Sequence, residues 1–135
     1  MFELMPWPQS TGYQPGVCNI GPAEISRRRR AGHAGLIVTL GLYAVLLLVG
    51  GPRALRLLVA LPAAGAAVGY LQAYLHFCAG FGSRGVFNFG DLGTTHETGD
   101  AAAKSADRRR SLQIALLGAG IGLAAGVAAV LLPLG

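Results

Sequence analysis

Charge is what this sequence has least of. Only 13% of its 135 residues are Asp, Glu, Lys or Arg, roughly half the share of about 25% that clothes an ordinary soluble domain. With 53% of the residues hydrophobic, there is too little charge for a water-facing surface of this size. Cysteine is also scarce: Cys18 and Cys78 are the two present, which excludes a disulfide framework and a paired CxxC site. No HExxH or CxxCH spacing, Walker loop or GxGxxG element occurs, and no serine stands beside an identifiable base. The length leaves little room for a separate catalytic domain beside the apolar runs.

What is present is segregated. Residues 34–52, 57–75 and 112–135 contain no charged side chain. Three such windows predict an all-α membrane protein with three transmembrane helices. The first two form a tight antiparallel hairpin, and the third is preceded by a Gly/Phe-rich interfacial loop. Residues 34–51 rise about 27 Å as a helix, close to the hydrocarbon thickness of about 30 Å. A signal peptide is a poorer reading of this run, because its prelude is long and no small-x-small cleavage site follows.

The chain divides into four parts. Residues 1–21 are a cytoplasmic arm in which Pro6, Pro8, Pro15, Gly12 and Gly16 disfavour regular structure, with Trp7 and Tyr13 available as interface anchors. Residues 22–78 are the helical hairpin, opened by Pro22 and turned at Gly50-Gly51-Pro52. Pro62 predicts a kink in its second helix. Residues 79–99 are the interfacial loop, with six glycines and with Phe81, Phe87 and Phe89 dipping into the membrane or covering the end of the bundle; a re-entrant form is disfavoured by the cost of exposed backbone in lipid. Residues 100–135 are a surface helical extension, capped by Asp100 or Thr98, that runs into the third span.

Helix packing is predicted at small residues, which let backbones approach closely. Gly65, Gly69, Gln72 and His76 lie on one stripe of the second helix, and Gly118, Gly122 and Gly126 recur every four residues in the third span. Gln72 needs polar partners within the membrane and is expected to bond across helices.

The basic residues flank the apolar windows. Arg27, Arg28, Arg29 and Arg30 precede the first span and Arg108, Arg109 and Arg110 precede the third, where anionic lipid head groups are the nearest partners. This placement argues against nucleic acid. Four basic residues before the first span and five between the second and third share one side, against Arg53 and Arg56 on the other. The positive-inside rule then puts the N terminus in the cytoplasm and the C terminus in the periplasm or outside, in what is expected to be a bacterial cytoplasmic membrane.

The same topology brings Cys18, His76, Cys78 and His96 to one membrane face, together with His33. Thiolate and imidazole are ligands for soft or borderline metals, so a metal or haem centre is conceivable there if the chain bends between His76 and Cys78. A disulfide between the cysteines is disfavoured on the cytoplasmic side. The leading expectation is a small accessory or structural subunit of a larger integral-membrane complex, partnered by other membrane subunits and anionic lipids and more plausibly non-catalytic. The alternative is a metal- or haem-binding redox protein. A homo-oligomeric transporter is disfavoured by the few buried ionisable groups and the lack of a broken-helix pair.

Overall fold

Pro22 opens the first helix, α1 (Pro22–Val49), in the computed structural model, which describes residues 13–133. The part of the arm that carries Pro6, Trp7 and Pro8 lies outside the described residues. Gly21 precedes Pro22 in an extended conformation, and proline at the first position forfeits no hydrogen bond because that N–H has no partner within the helix. The 28 residues of α1 rise about 42 Å, more than the hydrocarbon layer, so the arginine-bearing first turns extend beyond the apolar run. Gly50 ends the helix with φ 71°, and its N–H donates to the Leu46 carbonyl at 3.3 Å; a left-handed residue at this position is where glycine is favoured.

After the Gly50-Gly51-Pro52 turn the chain enters a 3-10 segment, Arg53–Val59, that continues directly into α2 (Ala60–Leu75). The α-helical ladder starts at Ala60, so Pro62 stands in the first turn of α2, where its missing N–H forfeits little. The helix is shorter than residues 53–78 suggest. It stops at His76, which adopts φ 56° and ψ 40°, an unusual left-handed conformation for a residue with a side chain.

Residues 79–99 contain short regular elements. They form a short helix, α3 (Ala79–Arg84), and a minimal antiparallel pair, β1 (Val86–Phe87) with β2 (His96–Glu97), in which Val86 faces Glu97 and Phe87 faces His96. Helix α3 lies against the start of α4 (Ala101–Leu131). Gly82 permits the approach: a methyl group there would collide with the Ser111 hydroxyl and the Phe77 ring. Asp100 caps α4, its carboxylate accepting from the Ala103 N–H at 3.1 Å.

Three helical stretches, Pro22–Val49, Arg53–Leu75 and Ala101–Leu131, are long and apolar enough to cross a membrane. The second is the central member, contacting the first on one side and the third on the other. Glycines make both contacts close. On the α1 side, a methyl group at Gly35 would lie 2.9 Å from the Ala66 backbone, and one at Gly69 would lie 2.8 Å from the Gly32 nitrogen. On the α4 side, Gly118 sits against Val68, Gly122 against Ala60 and Ala64, and Gly126 against Leu57 and Ala60. At the far end Arg56 is buried, and its Nη1 donates to the Leu132 carbonyl at 3.3 Å, tying the start of the second stretch to the end of the third.

Candidate functional site: a buried polar cap

The polar side chains gather at the opposite end, where α1 and α4 begin and α2 stops. Glu24, Asn19, Asn88 and Asp107 all have 0% exposure. A carboxylate enters such an environment only when donors replace its water, and Glu24 is well supplied. Its Oε1 accepts from Arg28 Nη1 at 2.7 Å, and its Oε2 accepts from Asn88 Nδ2 at 2.8 Å and from the Gly93 N–H at 3.3 Å. Arg27 lies farther out, 3.9 Å from Oε1.

Helical geometry sets the central pair. Residues four apart share a face, so Arg28 turns inward with Glu24 while Arg27, Arg29 and Arg30 remain exposed. The Arg28 Nη2 donates to Cys78 Sγ at 2.8 Å, and its guanidinium carbon lies 5.3 Å from the centre of the Phe81 ring, with that of Arg84 at 5.4 Å. Both distances are within cation–π range. Beneath them Ile20, Cys78 and Phe81 form a small apolar core.

Asn19 and Asn88 join the strand-like segments to this pair. The Asn88 N–H donates to the Asn19 carbonyl and the Gly21 N–H to the Asn88 carbonyl, both at 2.9 Å. The Asn88 amide also donates to the Asp91 carbonyl at 2.7 Å, and its Oδ1 accepts from the Gly90 N–H at 2.9 Å. Gly21 is essential to this crossing, since a methyl group there would lie 2.9 Å from the Phe89 backbone.

A second cluster fastens the arm to α4. The Tyr13 hydroxyl donates to Asp107 Oδ2 at 2.6 Å and the Gly16 N–H to Oδ1 at 2.7 Å, while the Tyr13 ring stacks on Phe87 at 4.8 Å. Burial, followed by the hydrogen bond to Asp107, pushes the Tyr13 pKa up to about 12, so this hydroxyl keeps its proton and donates a hydrogen bond at neutral pH.

The ligand candidates have separate local settings. His76 is exposed at the end of α2, and His96 is exposed with its ring 5.7 Å from that of Phe87. Cys78 meets Arg28. The Cys18 thiol points to the Ile20 carbonyl at 3.8 Å, and burial raises its pKa above the ordinary thiol value, which keeps it protonated. The bend between His76 and Cys78 does exist, centred on His76 itself. Among the described residues, however, no group of three or more His, Cys, Asp or Glu is placed to hold a metal ion. His33 has its Nδ1 2.6 Å from the Tyr70 hydroxyl.

Among the packing candidates, Gly69, Gly118, Gly122 and Gly126 sit at helix crossings, whereas Gly65 faces open space. Gln72 is buried, and its Oε1 accepts from the Ala79 N–H at 2.8 Å, a bond made around the end of its own helix. Gly32 and Gly35, absent from the sequence-based candidates, form the α1 side of the first crossing. Their signal was glycine inside or beside an apolar run, where it weakens a helix unless a neighbour needs the space.

Comparison with protein-family models, curated proteins and solved structures gives no match.

Proposed function

We propose that this protein is a small accessory or structural subunit of a larger integral-membrane assembly. Its role in this reading is to present a preformed helical surface, fixed at one end by the Glu24–Arg28 cap, to another membrane subunit. The observation that carries the proposal is the outward face of α1. Only 11% of its apolar window is buried within the chain, and Ile37, Leu40, Leu48 and Val49 are all at least 60% exposed.

Two further features support it. The glycine faces that bring helices close are largely engaged inside the chain, so the fold does not depend on a partner to complete them. The cap's polar groups chiefly bond one another: Glu24 already receives three hydrogen bonds, one of them from the Arg28 guanidinium, the pattern of a rigid fastening rather than of a free acid or base. In this proposal the positive-inside bias puts the cap on the cytoplasmic side and Arg56 on the other.

Photo-crosslinking in native membranes tests the reading. With the crosslinker at Ile37 or Leu48, the expected product is a discrete heteromeric adduct of the same mass from both positions. Adducts to lipid alone from both positions, with no heteromeric product, would remove the proposal.

A further inference from the structure

A cavity of about 300 Å³ opens between the arm and α4, lined by Gly16, Ala106, Arg109, Arg110 and Gln113. We infer that it is a binding site for the head group of one anionic glycerophospholipid, with the phosphate held by Arg109 and Arg110. The inference rests on the chain lying in a bilayer and not on its having a protein partner.

The cavity is preformed. Gly16 takes φ 69°, and its N–H is held on Asp107 at 2.7 Å, with the Ala106 side chain against it. This fixes the arm as a wall facing two guanidinium groups on adjacent residues. Arginine presents its donors in a planar fork suited to phosphate oxygens. The Nε of Arg110 is buried and meets no acceptor among the described residues, while its Nη1 donates to Gln113 Oε1 at 3.3 Å. The Gln113 bond fixes the Arg110 side chain, and both residues line the cavity. Gln113 adds amide donors beside it. Asp107 is the acidic neighbour, but both its oxygens already accept from Tyr13 and Gly16.

Position selects a lipid over a free anion. The charge-free run of α4 begins at Leu112, so the two arginines lie at the boundary where head groups meet hydrocarbon. Leu116 and Leu117, both exposed and three and four residues beyond Gln113 on its face of the helix, continue from that boundary as a surface for an acyl chain.

The test is native mass spectrometry of the full chain, delipidated in detergent and supplied with phosphatidylglycerol, phosphatidylcholine of matched chains, or inorganic phosphate. Retention of one phosphatidylglycerol per chain is expected, with little phosphatidylcholine. In the Arg109→Gln/Arg110→Gln variant retention should fall about thirtyfold, the scale for two basic groups at an anionic surface. The Arg29→Gln/Arg30→Gln variant removes the same charge at exposed head-group positions on α1 and should weaken retention of the one bound lipid far less. Equal loss from both double variants would reduce the site to diffuse attraction and overturn the inference. So would equal protection of the fold by inorganic phosphate. If the double variant fails to fold, the exposed Arg109→Gln alone must still weaken retention, and unchanged retention would refute the site.

Discussion

Asn19 pairs with Cys78 through both ends of its side-chain amide. Its Oδ1 accepts from the Cys78 N–H at 2.7 Å and its Nδ2 donates to the Cys78 carbonyl at 3.1 Å, while its own backbone N–H donates to the His76 carbonyl at 3.2 Å. The side chain thereby replaces a neighbouring strand for the stretch that follows the left-handed turn at His76, and locks the arm to the end of α2.

Replacing Asn19 by Ala should accordingly lower stability by about 2–4 kcal/mol, since it strands a buried N–H and leaves a void. Asn19→Asp should not rescue it, because a carboxylate cannot donate to the Cys78 carbonyl. Thermal unfolding in a fixed detergent, followed by circular dichroism, measures both. A near-wild-type melting temperature for Asn19→Asp would contradict the two-ended pairing.

The Glu24–Arg28 pair makes a different prediction. Arg28→Met removes the cation from a fully buried carboxylate and should cost about 3–5 kcal/mol, whereas Glu24→Gln/Arg28→Met leaves no buried charge and should be the less damaged protein. A double-mutant cycle on melting or chemical denaturation reads the coupling. Strict additivity of the two single effects would mean that the ion pair does not hold the cap.

These two relationships mark where the sequence stops being readable. The apolar windows, the Pro22 start, the glycine turn at Gly50 and the Asp100 cap are local signals, each carried by a few adjacent residues, and each has its counterpart in the structure. The cap is not local. Asn88 reaches Glu24 across 64 positions and Tyr13 reaches Asp107 across 94, and no periodicity links such partners. Glu24 alone reads as a carboxylate at a helix start, and Arg28 as one of four head-group arginines. Their four-residue spacing was the available clue, but it does not say which face is buried. The ordering of residues 79–99 was hidden for the same reason: its glycines, which look like loop residues, include Gly82, needed for close approach to α4, and Gly85, needed for a left-handed turn with φ 72°.

Helix packing yields a paired prediction from one stretch of α4. At Gly122 an added methyl group would lie 2.6 Å from the Ala64 Cβ and 2.7 Å from the Ala60 carbonyl oxygen, whereas at Gly120 it would meet nothing within 4 Å. Gly122→Ala should force the helices apart at a cost of about 1–3 kcal/mol. Gly120→Ala should leave the melting temperature unchanged or slightly raised, since alanine is the better helix former. Equal tolerance at the two positions would show that the α2–α4 crossing is not as close as these contacts require.

The Tyr13–Asp107 bond predicts an alkaline limb in stability. The folded pKa of Tyr13, about 12, lies above the value of about 10 for an unfolded chain, so folding favours the protonated phenol. The sign follows from linkage: the contribution is fully present below about pH 10, declines as the unfolded chain begins to release its proton, and is gone once the pH passes through the folded value. Tyr13→Phe deletes the donor but keeps the ring that stacks on Phe87. It should be less stable than wild type at neutral pH, and the gap should close between about pH 10 and 12. Paired denaturation curves at stepped pH make the measurement, with the tyrosinate absorbance difference between the two proteins as an independent readout of the titration. A gap that stayed constant across that range would mean that the hydroxyl's bond to Asp107 contributes nothing to holding the arm on α4.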